Sequence, residues 1–291
     1  MIQFADDNTK QQVWDMWKTV FNDPDDYMEV YFRWKYLNEN TLIYIEDGKA
    51  VSSLQMLSYQ FTFCGTEIPA IYLSGVCTLP EYREKGYSRQ LLIKSFDVAA
   101  GRNVPIILLV PQEEWLLRFY DKLGFARTFD PGAEALPSLK ELTQKYPGDL
   151  YAAFREFDSL FRHKDVTVQK SFDDFYAMVE EAALFGFPPK KNLMGMARVI
   201  DAHRLISIFA ERYPQTAFSI SVRDELLKVN SASFTVVGGE ARRYSPPEKS
   251  LFHANIRKLA QLLFGYHTLG DEEPFSAVFP EKVPSMSYML E

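Results

Sequence analysis

A nearly continuous apolar run, Val-Pro-Ile-Ile-Leu-Leu-Val at residues 104–110, predicts a β-strand that is covered on both faces. Before it, residues 75–101 read as an apolar strand, a basic turn with a glycine, and a helix that ends at Gly101. Still earlier, two helical patterns precede β-rich runs that meet at the turn pair Asp47-Gly48. Helices, antiparallel strands and then a strand–helix–strand unit predict an α/β (α+β) fold for this part of the chain.

The length of 291 residues favours two domains over one. A turn-rich stretch with one amphipathic helix follows the strand–helix–strand unit, and the segment Phe-Pro-Pro-Lys-Lys-Asn at 187–192 marks a boundary. Beyond it, helical stripes flank two runs with period-two alternation, which predict a second α+β domain. We therefore expect a first domain at 1–130, a connecting region at 131–190 and a second domain at 191–291.

The composition is that of an ordinary soluble globular protein, with 47% hydrophobic and 24% charged residues. A formal net charge of −7 argues against a broad nucleic-acid surface and mildly favours cationic substrates. No apolar run approaches the roughly 20 residues that span a bilayer, and the polar N-terminus is unlike a signal peptide. Cys64 and Cys77 lack metal-ligand spacing. These features predict a cytoplasmic protein with no metal and no membrane or nucleic-acid partner.

Four residues lie in the basic turn between the apolar strand that begins at residue 75 and the helix that ends at Gly101. They are Arg83, Lys85, Gly86 and Ser88. Backbone N–H groups that converge at a helix N-terminus hold a polyanion such as a pyrophosphate, and glycine lets the backbone approach it closely. The same residues more often form a solvated basic turn that only begins a helix. The turn alone leaves both interpretations open.

A second motif lies in Arg-Phe-Tyr-Asp-Lys-Leu-Gly-Phe at 118–125, where Tyr120 comes four residues before Gly124. A strand with the first motif, its helix, a second strand and a helix with this tyrosine resembles the acetyl-CoA-dependent N-acetyltransferase superfamily known as GNAT. The family signature is Arg or Gln-x-x-Gly-x-Gly or Ala. Arg83 and Gly86 match it, and Ser88 departs at the last small position.

The resemblance implies a mixed sheet flanked by helices, with acetyl-CoA as co-substrate and no metal. It further implies that backbone groups of Val76 and Thr78 pair with the pantetheine arm, while backbone amides of the turn hold the pyrophosphate. The implied cofactor-binding residues are Val76, Thr78, Arg83, Glu84, Lys85, Gly86, Tyr87 and Ser88.

A narrower resemblance adds three stretches from the far end of the chain, at 194–206, 218–236 and 259–269. Together with the two motifs they resemble the enhanced-intracellular-survival (Eis) type of acetyltransferase, which joins a GNAT domain to a C-terminal sterol-carrier-like domain. Typical members are longer because a second, degenerate GNAT domain lies in the middle, so a reduced middle region is expected here. The resemblance leaves a homo-oligomer open.

An amine that attacks a thioester needs a donor that protonates the departing thiolate. A phenol with a pKa of about 10 is protonated at neutral pH, whereas a thiol with a pKa of about 8.5 can leave as thiolate. Tyr120 is therefore the candidate general acid, although a core tyrosine that packs its helix is the alternative. All four histidines lie outside the predicted GNAT core.

In Eis-type proteins the chain's own C-terminal carboxylate folds back into the acetyltransferase site. The spacing of Phe279, Pro280 and Pro284 resembles the tails of that family, which implies that Glu291 brings two carboxylates near the amine. A frayed chain end is the alternative.

Two classes of function remain. In the first, the protein is an acetyl-CoA-dependent N-acetyltransferase for a small-molecule or peptidyl amine. In the second, it is a non-catalytic acyl-CoA-sensing or lipid-binding module. A tyrosine at the position of the family's acid favours the enzyme.

Overall fold

A computed structural model describes residues 1–244 and 252–290. The elements up to the end of the predicted first domain are, in chain order, β1 (Ile2–Phe4), α1 (Lys10–Phe21), α2 (Asp25–Trp34), β2 (Thr41–Glu46), β3 (Lys49–Phe63), β4 (Thr66–Thr78), α3 (Tyr87–Gly101), β5 (Ile106–Leu109), α4 (Glu114–Asp121) and β6 (Ala126–Phe129). The next are α5 (Leu139–Lys145), α6 (Leu150–Phe161), β7 (Thr167–Gln169), α7 (Phe172–Leu184) and β8 (Gly195–Val199). The last are α8 (Ala202–Arg212), β9 (Phe218–Arg223), β10 (Ala232–Val237), β11 (Glu240–Tyr244), β12 (Phe252–Asn255), α9 (Ile256–Phe264) and α10 (Phe275–Val278).

Eight of the strands form one mixed sheet in the order β1-β2-β3-β4-β5-β8-β6, and β7 pairs with β3 off this path. The predicted hairpin between β2 and β3 is present, because Asp47 and Gly48 both have positive φ values (50° and 79°), as a two-residue hairpin turn requires. The strands β4 and β5 are parallel and are connected by α3. The prediction of an α/β fold with a mixed sheet flanked by helices is confirmed.

The first strand after the expected boundary at residue 190 does not lie in the second sheet. The strand β8 at 195–199 pairs with β5 on one side and with β6 on the other, so it belongs to the first sheet. The connecting region also packs on the first sheet, since β7 pairs with β3 and Lys35 at the end of α2 pairs with Asp174 of α7. The division into three parts stays a prediction, and the first sheet draws strands from all three.

A second, four-stranded sheet has the order β11-β10-β9-β12, with α8 and α9 packed beside it. Buried and half-exposed residues alternate along β9, as its period-two pattern predicts. The two sheets share one hydrophobic core on the face that carries α1 and α2. Phe264 of α9, for example, stacks on Phe61 of β3 with 5.3 Å between the ring centroids.

A separate core fills the opposite face of the first sheet, beneath α3 and α4. Leu54 and Met56 of β3 contribute to it, as does Phe96 of α3. Within the described ranges, no helix has the length and apolar character needed to cross a membrane. The same ranges contain no group of three or more histidine, cysteine or acidic side chains that could hold a metal ion.

Candidate active site

The first sheet opens between β4 and β5. The two strands pair only at Ile71 with Ile107 and at Tyr72 with Leu108, while β4 continues to Thr78. Within the described part of the chain, no strand pairs with β4 along this edge beyond Tyr72. The gap widens into a cavity of about 800 Å³. Main-chain groups along that stretch of β4 are thus available to an extended ligand.

A bulge in β4 shapes the wall of this cavity. The pairing with β3 shifts between Ser53 and Gln55, which leaves Gly75 and Val76 out of register. Gly75 has a φ of +58°, and a methyl group at this position would overlap the indole ring of Trp17. Glycine therefore lets Trp17 lie directly against the strand and line the cavity.

The turn from β4 to α3 has two residues with left-handed backbone, Glu84 (φ +66°) and Gly86 (φ +79°). The chain reverses through them, and α3 begins at Tyr87. The first N–H groups of a helix have no partner within the helix, so this end can receive an anion. A side chain built on Gly86 would meet no atom within 4 Å, which leaves space above it for a ligand.

The structure brings most of the predicted cofactor residues to the cavity wall. Val76, Thr78, Arg83, Glu84, Gly86, Tyr87 and Ser88 all line it. Lys85 does not, because its ammonium lies 3.4 Å from the carboxylate of Glu46. Arg89 lines the cavity as well, although it is not among the predicted site residues. Its position in the first turn of α3 is the sequence feature from which a place on the cavity wall could have been predicted.

Ser88, which departs from the family signature, has a structural partner. Its hydroxyl shares a 2.6 Å hydrogen bond with the hydroxyl of Thr78, which in turn lies 2.8 Å from the hydroxyl of Ser52. Arg83 donates from Nε to the carbonyl oxygen of Thr78 at 3.3 Å. These contacts fix the turn and the start of α3 to the end of β4.

Tyr120 lies in the last turn of α4 and lines the same cavity. Its side chain is 6% exposed, and its ring makes edge contacts with Phe119 and Phe125. Burial raises the pKa of the phenol to about 12. The group therefore stays protonated throughout the neutral range and can act as a proton donor.

The end of the cavity nearest α1 carries aromatic and acidic groups that the sequence analysis did not assign. Trp17, Phe21 and Asp23 line it together with Tyr72 of β4. The indole of Trp17 donates to Asp23 Oδ2 at 2.6 Å. The long sequence separation between α1 and β4 hides this arrangement, because Trp17 meets Gly75 only when the two elements pack together in the folded chain.

The C-terminal tail packs against the rest of the protein up to Leu290, the last residue that the structure describes. Residues 285–290 are buried, and Ser285 donates from its backbone to the carbonyl oxygen of Val166 at 3.0 Å. Lys170 donates to the sulfur of Met289 at 3.2 Å and lies 5.0 Å from the ring centroid of Tyr59. These contacts bring the tail to the same face of the sheet as α1 and α2. Glu291 lies outside the described residues.

Two family models match the chain. Residues 2–128 match the acetyltransferase (GNAT) domain, and residues 202–273 match the sterol carrier protein domain. Among curated proteins, none matches this chain in sequence. The matched ranges contain both predicted motifs and all four strands of the second sheet.

Solved structures resemble the chain over nearly its whole length. A GCN5-related N-acetyltransferase from Anabaena variabilis has a TM-score of 0.71 at 13% identity, with 98% of this chain and 99% of that chain covered. Eis1 from Mycobacterium abscessus has a TM-score of 0.67 at 13% identity, with 99% of each chain covered. A GCN5-related N-acetyltransferase from Kribbella flavida has a TM-score of 0.67 at 14% identity, with 98% and 96% covered.

At these identities the likeness establishes the fold. The predicted resemblance to Eis-type proteins is confirmed at that level. The chain combines a GNAT acetyltransferase domain with a sterol carrier protein domain.

Proposed function

We propose that the protein transfers the acetyl group of acetyl-CoA to an amine in the cavity between β4 and β5. One observation carries the proposal: a single cavity joins the helix N-terminus at Gly86, a free edge of β4 and the buried phenol of Tyr120. A pyrophosphate requires an anion site, and a pantetheine arm can pair with an extended backbone edge. A thioester that is cleaved requires a proton donor for its thiolate.

Acetyl-CoA would lie along β4 with its pyrophosphate at the turn. Backbone amides from Arg83 to Ser88 would bind the phosphates, and Arg89 adds a positive charge on the same wall. The pantetheine arm would pair with main-chain groups of Val76 and Thr78. This placement puts the thioester toward the point where β4 and β5 separate.

The chemistry is direct acyl transfer. The neutral amine forms a bond to the thioester carbonyl carbon, and the carbon–sulfur bond then breaks. Tyr120 donates its proton to the departing thiolate, while the proton released by the nitrogen passes to water and so to solvent. Tyr120 would then regain a proton from solvent. No covalent enzyme intermediate is needed.

Glu291 would assist by orienting the amine with its carboxylates. The docked tail at 285–290 supports this role, because these residues are buried on the face of the first sheet that carries α1 and α2. A carboxylate attracts a cationic amine more strongly in a partly dry cleft than in water. With a pKa near 3.5, a terminal carboxylate is a weak base, so orientation is a better role for it than proton abstraction.

A panel of amines tests the proposal. The protein is mixed with acetyl-CoA and with small amines, polyamines or lysine peptides, and release of free thiol is followed. Amine-dependent thiol release supports the enzyme. Binding of acetyl-CoA with no release for any amine would instead support a non-catalytic sensor of acyl-CoA.

A further inference from the structure

The turn after Tyr120 is built on that residue's own carbonyl group. The backbone N–H groups of Leu123 and Phe125 both donate to the carbonyl oxygen of Tyr120, at 2.9 and 3.2 Å. Gly124 within this turn has a φ of +84° and donates to the carbonyl oxygen of Asp121 at 2.9 Å. Any shift of the turn from Asp121 to Gly124 therefore moves the end of α4 that carries Tyr120.

The sterol carrier domain contacts this turn directly. Arg257, the second residue of α9, donates from Nη1 to the carbonyl oxygen of Asp121 at 3.1 Å. Its Nε also lies 3.4 Å from Asp121 Oδ1. Next to it, Ile256 packs so closely that a side chain on Gly124 would lie 3.2 Å from its Cγ2.

A buried ion pair lies behind the same turn. Arg198 of β8 is fully buried and donates from Nη2 to both carboxylate oxygens of Asp224, at 2.9 and 2.8 Å. Asp224 follows β9 in the sterol carrier domain, and Asn230 also donates to it at 3.0 Å. A side chain on Gly124 would lie 3.0 Å from the guanidinium carbon of Arg198, so the ion pair and the turn are in contact.

These contacts have one property in common. Arg257 and Ile256 join the sterol carrier domain to the few residues that follow Tyr120, and the Arg198–Asp224 pair lies against the same turn. None of these side chains lines the cavity. Removing either member of the buried pair would leave an uncompensated charge, so the pair strongly holds β8 to the sterol carrier domain behind this turn. The arrangement can hold a helix end in place but cannot touch the substrate.

We propose that the sterol carrier domain positions Tyr120 for catalysis, with Arg257 and the Arg198–Asp224 pair as positioning residues. The inference rests on the proposed role of Tyr120 as the acid. A small displacement of a catalytic group, on the order of 1 Å, is enough to lower the rate strongly. The domain thus serves the acetyltransferase site through packing and hydrogen bonds.

Arg257 is the most suitable residue for testing the positioning role by substitution. Its side chain is 26% exposed, and its removal leaves no fully buried charge. Arg257→Ala should lower turnover about tenfold and leave the affinity for acetyl-CoA unchanged. Arg257→Lys should recover part of the loss by keeping a positive charge beside Asp121. The matched control is Arg242→Ala, which removes an exposed arginine of the same domain and should leave turnover unchanged.

A double variant shows whether Arg257 acts through Tyr120. If it does, Arg257→Ala should cause no further loss of turnover once Tyr120→Phe is present, because the group that it positions is gone. An unchanged rate for Arg257→Ala, or the same tenfold loss in both backgrounds, overturns the proposal. Wild-type turnover in Tyr120→Phe alone would instead show that the acid itself is wrongly assigned.

The buried pair is tested in the same way with Asp224→Asn. Its loss of turnover should likewise disappear in the Tyr120→Phe background, with acetyl-CoA affinity retained. Thermal melting establishes that the variant is folded. If Asp224→Asn does not fold, the Arg257 variants decide the proposal by themselves.

Discussion

The hydroxyl groups of Ser88 and Thr78 lie 2.6 Å apart and join the first turn of α3 to the last residue of β4. Ser88 occupies the signature position where the GNAT family has glycine or alanine. Its hydroxyl forms a hydrogen bond inside the protein, while the backbone of the turn stays open to the cavity. The departure from the signature is therefore compatible with the proposed pyrophosphate site.

Ser88→Ala should lower the free energy of unfolding by about 1 kcal/mol, since one internal hydrogen bond is lost and Thr78 retains Ser52 as a partner. Acetyl-CoA affinity should change by no more than a few fold. Urea unfolding and a binding titration check the two values. A loss of affinity of a hundredfold would mean that the hydroxyl contacts the ligand.

Gly86→Val should abolish measurable binding of acetyl-CoA, because the branched side chain fills the space in front of the helix N-terminus. Gly148→Val is the matched control. Gly148 has nearly the same φ (+78°) and equally open surroundings, but it lies away from the cavity. Both variants should lose similar stability in melting experiments, and only Gly86→Val should lose binding. Equal binding by the two would place the cofactor elsewhere.

Tyr120→Phe should lower turnover by a factor on the order of 10² while acetyl-CoA still binds. Because the pKa of Tyr120 is raised to about 12, the phenol stays protonated well above neutrality. The ratio of wild-type to variant turnover should therefore be constant from pH 7 to pH 10. A ratio that falls within this range would contradict the raised pKa of Tyr120. Tyr82→Phe, also on the cavity wall, serves as control and should turn over normally.

Lys170 should make stability depend on pH. Burial lowers its pKa to about 7, so between pH 7 and the unfolded value near 10.5 the unfolded chain binds more protons than the folded one. Stability conferred by this residue must then rise with pH in that window. Relative to Lys170→Met, the wild-type free energy of unfolding should increase by about 3 kcal/mol between pH 7 and 9.5.

Lys282 provides the control for this measurement. It is also largely buried, but Asp165 lies 2.8 Å from its ammonium and its pKa is raised, because Cys64 and Asp165 outweigh the effect of burial. Its folded and unfolded forms are both protonated below pH 9.5. The difference between the wild type and Lys282→Met should be flat over the same range. A flat curve for Lys170→Met as well would contradict the lowered pKa.

Deletion of Glu291 should reduce turnover without affecting acetyl-CoA binding, if the terminal carboxylate orients the amine. Glu291→Ala removes the side-chain carboxylate but keeps the main-chain one at the same position. It should therefore retain more activity than the deletion, measured as kcat with a good amine. Full activity in both variants would show that the tail has no catalytic role.

Local signals in the sequence predict much of this fold. Asp47-Gly48 predicts its hairpin because two-residue turns need positive φ, and Gly86 lies in the turn that is predicted between β4 and α3. Tyr120 is assigned through the resemblance to the GNAT family, which rests in part on the motif at 118–125. In each case the residues that carry the prediction lie close together in the sequence.

Long-range pairing accounts for what the sequence does not reveal. The strand β8 enters the first sheet between β5 and β6, a choice that depends on partners about 70 to 90 residues earlier. The sequence does not distinguish Arg198 from a surface arginine, and its buried charge is balanced by Asp224, which lies 26 residues later. The tail contacts with Lys170 and the packing of Trp17 on Gly75 are hidden for the same reason.

Transfer of an isotope-labelled acetyl group to an amine is the decisive test of acyl transfer by this protein. The protein is incubated with acetyl-CoA labelled in the acetyl carbons and with the best amine of the panel, and mass spectrometry quantifies both products. Direct acyl transfer predicts one labelled acetyl group on the amine for each free CoA, with a lower rate in Tyr120→Phe and no reaction in Gly86→Val. Free CoA without labelled amine, or equal rates in all three proteins, would contradict it.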